Sequence, residues 1–262
     1  MMRATRRLAC LPGGISPNHR RRGFALGTLL FVLVALLVSA GCVRLGFWQL
    51  SRLAERRARN AEVAEHLAGE ARPLADIVFR GGPRFTRVTV AGRYDFEREF
   101  AIALRPRSGS PGVNVVTPLL IGGGDSAVLV NRGWVYAADG IHAELGRWRE
   151  NEWADVDGYV EPIGTDPGPV SVPGTSRVVR RLNLDSLRLR LPYAIYGFLV
   201  VQQRDSGVAR AAERGIPVRV GPPKLDDGPH LAYAVQWFAF AVVGVVGAGI
   251  VLLRDRSKRP AG

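Results

Sequence analysis

The feature that most limits what this chain can become is a pair of uncharged apolar runs, one near each end. Gly23 to Val43 reads GFALGTLLFVLVALLVSAGCV, and Leu231 to Leu253 reads LAYAVQWFAFAVVGVVGAGIVLL. As a helix rising about 1.5 Å per residue, each covers a hydrocarbon core of about 30 Å. Both are therefore predicted to span a membrane. Tyr233 and Trp237 lie near one end of the second run, where aromatic rings meet lipid headgroups.

Charge sets the expected orientation. A net +13 raises the question of nucleic acid. Nine of those charges belong to the tails: Arg3, Arg6, Arg7, Arg20, Arg21 and Arg22 at one end, and Arg254, Arg256, Lys258 and Arg259 against Asp255 at the other. What remains is too little and too scattered for a phosphate-binding groove, so no nucleic-acid partner is expected. Basic flanks stay cytoplasmic, and two spans return a chain to the side it left. Both termini are thus expected inside and the intervening domain outside. Arg44, Arg52, Arg56, Arg57 and Arg59 weaken the asymmetry at the first run, but a loop this long crosses largely regardless of its charge.

Other readings of the N-terminus fit less well. A cleaved signal peptide has an apolar core of about 7–15 residues, shorter than this one, and no A-x-A site follows directly. Ser39, Ala40, Gly41 and Cys42 match a lipoprotein processing site only loosely, with serine where an aliphatic residue is usual. An Arg-rich leader without acids also suits a mitochondrial transit peptide, yet Pro12, Gly13, Gly14 and Pro17 interrupt any amphipathic helix. A bacterial inner membrane is the simpler setting and the mitochondrial inner membrane the alternative. Cys10 and Cys42 are the two cysteines, so the domain between the runs has no thiol for a disulfide or for Cys-x-x-Cys chemistry.

Beyond the first run, Leu50, Leu53, Ala54, Ala58, Ala61, Ala64 and Leu67 keep helical spacing until Gly69 and Pro73. The helix either continues or kinks and restarts. Strand patterns then follow at Arg84 to Tyr94, Phe100 to Arg105, Val113 to Ile121, Ala127 to Val135, Trp153 to Val160, Arg177 to Leu184 and Ile195 to Gln203. GGGDS between two of them reads as a hairpin turn, since no Lys-Ser/Thr completes a phosphate loop. Asp185 to Leu191 reads as a short helical turn and Glu161 to Gly174 as a loop. The expected architecture is an α+β membrane protein, two transmembrane helices flanking a β-rich domain on the outer face. That domain is a mainly antiparallel sheet or partly open barrel. Its parts are a basic tail (1–22), a span (23–45), a juxtamembrane helix (46–70), the β-rich domain (71–229), a second span (230–253) and a basic tail (254–262).

No local motif argues for an enzyme. His19, His66, His142 and His230 are not spaced to share a metal, and Ser108 and Ser110 sit in RSGSPG, which reads as a turn. Asp226 and Asp227 read as solvated loop charges. His230 stands apart because it opens the second run, with Tyr233, Ala234 and Trp237 on its helical face. An imidazole there can serve as the axial ligand of a haem, or simply anchor the helix end at the interface.

Several segments together resemble one family. GFWQLSRL (Gly46 to Leu53), GRYD (Gly92 to Asp95), LRPR (Leu104 to Arg107), GVNVVTPLL (Gly112 to Leu120), LVNRGWV (Leu129 to Val135) and GPHLAYAVQWF (Gly228 to Phe238) occur in the order found in the surfeit locus protein 1 family of cytochrome c oxidase assembly factors. The similarity covers nearly the whole chain between the tails, although only pieces match between Tyr136 and Val200. It implies a non-catalytic protein that binds haem a or helps deliver it to the large oxidase subunit. Haem a is the one cofactor implied. The large subunit, the haem a synthesis machinery and membrane lipid are the implied partners. The family's membrane-edge histidine falls on His230, with Tyr233 and Trp237 beside it, so His230 is the candidate iron ligand. Gly46, Trp48, Gln49, Arg105, Asn131, Arg132 and Gly133 are the other candidate motif or partner-binding positions. Arg105 and Arg132 suit either haem propionates or acids of the domain such as Asp95. A structural chaperone without haem and a membrane-anchored periplasmic hydrolase are the alternative functions.

Overall fold

The computed structural model describes residues 17–80, 84–167, 170–203 and 215–257, so Cys10 and the tail residues Arg3, Arg6, Arg7, Lys258 and Arg259 lie outside the described residues. The chain divides into two compact units. One is built from residues up to Ala58 and from Asp227 onward; the other runs from Arg59 to Asp226.

The first unit is a helix pair. Helix α1 is unbroken from Pro17 to Ala68, so the expected span and juxtamembrane helix are one element. No proline follows Pro17 until Pro73, and Gly69 closes the helix by donating its N–H to the Glu65 carbonyl at 3.0 Å. Helix α4 (His230–Ser257) starts after the Gly228-Pro229 turn. Small residues line the contact at seven-residue steps. Ala234, Ala241 and Ala248 are buried on α4, as are Val32, Ser39, Gly46 and Leu53 on α1. That period is the seam of a left-handed helix pair, and small side chains there let the backbones approach. A Cβ on Gly46 would fall 2.6 Å from the Phe238 ring, and one on Gly244 would strike the Ser39 hydroxyl. The opposite faces are bare and apolar: Leu30, Leu37 and Val243 are 60%, 64% and 70% exposed. Contiguous apolar surface on that scale is unsuited to water and suited to lipid, as both helices have the length and composition of membrane spans.

The second unit is a barrel. Its strands are β1 (Arg72–Pro73), β2 (Arg87–Tyr94), β3 (Phe100–Ile102), β4 (Gly112–Ile121), β5 (Ser126–Tyr136), β6 (Trp153–Pro162), β7 (Val178–Val179) and β8 (Ala194–Gln202). Helices α2 (Leu74–Arg80) and α3 (Leu184–Arg190) accompany them. Strands pair in the ring β2-β6-β8-β5-β4, and β4 returns to β2 to close it. Every pairing in the ring is antiparallel except β5 with β8. The expected sheet or partly open barrel is thus a closed five-strand mixed barrel, with β1, β3 and β7 as short additions.

One cluster takes residues from all five ring strands: Val88, Val90, Leu119, Val128, Val130, Val156, Val160 and Val200. Period-two alternation puts these on one face, which is the barrel lumen. A second cluster covers the outer face of β4, β5, β6 and β8, where Leu184 and Leu187 of α3 and Val63 and Leu67 of α1 pack on Leu129, Tyr159 and Leu199. The GGGDS segment is the β4–β5 turn as expected, with Gly122, Gly123 and Gly124 all at positive φ. RSGSPG is likewise a tight turn, Ser108 and Gly109 at positive φ between bridged Arg107 and Ser110. Two expected strands are shorter than their patterns: β3 ends before Leu104, which is left-handed at φ 57°, and the Arg177 to Leu184 stretch pairs only through Val178 and Val179.

Candidate functional site

The helix pair gathers three of the candidate residues. Gly46 admits the Phe238 ring, which also packs edge-on against Phe47 with centroids 5.4 Å apart. Gln49 comes just under one turn later on α1, and its Oε1 lies 2.9 Å from Nδ1 of His230, the first residue of α4. The imidazole is half-buried, and its Nε2 has no hydrogen-bond partner among the described residues. Below it, Arg57 donates through Nε and Nη2 to Asp227 at 2.9 and 2.6 Å. That bond holds the Asp227 carboxyl below its ordinary range, so the aspartate is ion-paired and not a plain loop charge. The remaining aromatic candidates turn outward. Trp48 is about half exposed with the Arg52 guanidinium 5.5 Å from its ring, Tyr233 is similarly exposed, and Trp237 is half-buried and edge-on to Phe240 at 6.0 Å.

Asn131, Arg132 and Gly133 build something else, a polar plug at one end of the barrel lumen. Arg132 follows Val128 and Val130 on the inward face of β5 and is completely buried. It donates Nε to Glu150 at 3.0 Å, Nη1 to Glu99 and Thr117 at 3.3 Å each, and Nη2 to the Trp148 carbonyl. Its guanidinium also lies 5.4 Å from the Tyr94 ring centroid and 5.1 Å from that of Phe96. Burial pushes the Glu99 carboxyl up, against the pull of Arg132. At Glu150 burial acts the same way, but Arg219 and Arg132 outweigh it and hold that carboxyl below its ordinary value. Arg219 arrives on the 215–220 segment, donating to Glu150 and to the Arg132 carbonyl. Trp134 and Val218 exchange backbone hydrogen bonds beside it at 2.7 and 2.8 Å. Gly133 is what lets this segment in: at φ 139° its Cβ would sit 2.5 Å from the Val218 carbonyl oxygen. Asn131 stabilises that backbone by accepting from the Gly133 N–H at 3.1 Å.

The acids offered for the two arginines need correcting. Asp95 bonds Arg98 and Tyr193, not Arg105 or Arg132. Arg132 takes Glu99 and Glu150, while among the described residues Arg105 donates to the carbonyls of Ala103, Leu104 and Arg180. Desolvation lowers the Arg105 pKa. Sequence reading missed Glu99, Glu150 and Arg219, which come from three separate segments and carry no common spacing. Among the described residues no three His, Cys, Asp or Glu side chains gather as a metal site.

Two helices with the length and composition of membrane spans, and a small closed barrel between them in sequence, define the class as a membrane protein with one β-rich domain. The SURF1 family model matches residues 36–242, and the chain belongs to that family. A protein of Mycobacterium tuberculosis named as an uncharacterized SURF1-like protein is 26% identical over 261 residues, covering 90% of this chain and 88% of its own. A SURF1-like protein of Rickettsia conorii is 25% identical over 224 residues, covering 83% and 87%.

Proposed function

We propose that this protein is a non-catalytic assembly factor for cytochrome c oxidase that holds haem a, or hands it over, on the way to the large oxidase subunit. The family supports the oxidase reading. The single observation that carries the haem reading is His230, half-buried at the head of α4 with one ring nitrogen engaged and the other without a hydrogen-bond partner among the described residues. Haem would ask the chain for a single side-chain ligand to its iron, which His230 would provide. A metal held by side chains alone would need a cluster that the described residues do not form. When bound, haem supplies its own redox iron; the chain's part is to present Nε2, hold the ring's orientation and offer apolar surface at Tyr233 and Trp237. In this reading the protein sits in a bacterial inner membrane with cytoplasmic termini and an outward barrel, supported by basic residues flanking the outermost ends of both apolar runs.

Protein purified from cells that make haem a is expected to show a Soret band that His230→Ala diminishes. Oxidase from a strain lacking this protein is expected to be poor in haem. Fully loaded oxidase in that strain would sink the assembly reading. Co-purification with the large subunit unaffected by His230→Ala, and without a Soret band, would favour a chaperone that never touches haem.

A further inference from the structure

The side-chain hydrogen bond that orients His230 runs to a residue whose presence the haem reading does not by itself require. The imidazole Nδ1 is bonded to Gln49, 181 positions away in sequence and on the other helix. An amide oxygen only accepts, so a neutral histidine facing Oε1 must carry its proton on Nδ1. The lone pair then resides on Nε2, the nitrogen without a partner. Histidines that ligate metals usually give their other N–H to a carbonyl or carboxylate, which fixes the tautomer and ring plane and raises ligand basicity.

We propose that Gln49 is the positioning residue for His230, selecting the Nδ1–H tautomer and aiming Nε2 as the ligating atom. The inference rests on the haem reading of His230 but is tested separately from it. Gly46 belongs to the same device. Lacking a side chain, it lets the Phe238 ring of α4 pack against α1 one turn from Gln49. A neutral acceptor also suits the place, because a carboxylate at the edge of two apolar helices would bring a desolvated charge. Two other histidines are bonded differently: His66 Nδ1 faces the Arg84 carbonyl at 3.1 Å and His142 Nδ1 faces Asp139 at 2.6 Å. They serve as internal references.

The experiment uses the full chain in detergent micelles with 15N-labelled histidine, the His230 signals assigned by their loss in His230→Asn. Wild type is expected to show the Nδ1–H tautomer at His230, Gln49→Leu to lose it, and Gln49→Glu to keep it, with His66 and His142 unchanged in all three. Titration with haem a is expected to show affinity about 10–100-fold weaker in Gln49→Leu. Gln49→Glu is expected to restore it and to lower the midpoint potential of the bound iron, a shift that mere refolding would not produce. An Nε2–H tautomer in wild type, or Gln49→Leu with wild-type tautomer and affinity, overturns the proposal. A wild type that shows the Nδ1–H tautomer yet binds no haem a sinks the haem reading while upholding the control of His230 by Gln49.

Discussion

The helix pair and the barrel solve opposite problems with charge. In the pair, the seam is rich in alanine, glycine and serine with Val32 and Leu53 among them, and its head carries an amide bonded to an imidazole and an exposed Arg57–Asp227 ion pair. In the barrel, a completely buried arginine and glutamate plug one end of a lumen lined largely by valines. The contrast teaches where each unit is brittle. Helices in an apolar surround lose most when their close approach is blocked, whereas a barrel with an ionic plug loses most when one member of the plug is removed and its buried partners stay behind with less compensation.

The largest expected effect tests the plug. Arg132→Leu leaves Glu99 and Glu150 without their shared cation and is expected to destabilise the barrel by about 3–5 kcal/mol, measured by urea or thermal unfolding. Near-wild-type stability would mean the plug is dispensable. Gly133→Ala follows, at about 2–4 kcal/mol, because a left-handed backbone and a clash with the Val218 carbonyl add. In the helix pair, Gly46→Val is expected to cost about 1–3 kcal/mol of helix association by overpacking against Phe238, with barrel unfolding unchanged. A loss of barrel stability of equal size would erase the contrast between the units.

Acid is expected to act more weakly still. Glu150 has a folded pKa below its unfolded value, so its contribution is present above about pH 4.3 and is lost as pH falls through the folded value. Glu99 acts in the opposite sense: its raised pKa means that it protonates earlier on acidification, which relieves part of its burial cost. Stability should therefore fall mainly below the ordinary carboxylate range, and Glu150→Gln should flatten that fall. Smallest of all is Asp227→Asn, which removes an exposed pair with Arg57 and should leave the melting temperature unmoved.

Much of this was legible in the sequence wherever a period carried it. The apolar runs, the helical spacing up to Leu67, the alternating strands and the GGGDS turn each follow from residues close together in the chain, whereas the unbroken course of α1 was left open. Ring closure was not legible, because β2 meets β4 through two registered pairs that no local pattern marks. At the candidate site, His230 stood out by its place before an apolar run, but its bond to Gln49 depends on which faces of two distant helices meet. Arg132 was visible as a polar residue in an apolar strand; Glu99, Glu150 and Arg219 were not, since ordinary surface acids and arginines look the same until the chain folds.

Closure of the ring also decides how the barrel meets other chains. A sheet left open at β2 and β4 would present unpaired N–H and C=O groups along two edges, a template for any neighbouring strand. Joining Arg93 and Tyr94 to Leu120 and Leu119 removes both edges from the ring, and the outermost strands of the whole sheet are then β1 and β7, two residues each. The junction is short, so a change that loosens it would turn a self-contained domain into one able to pair with its own copies, and aggregation would be its first symptom.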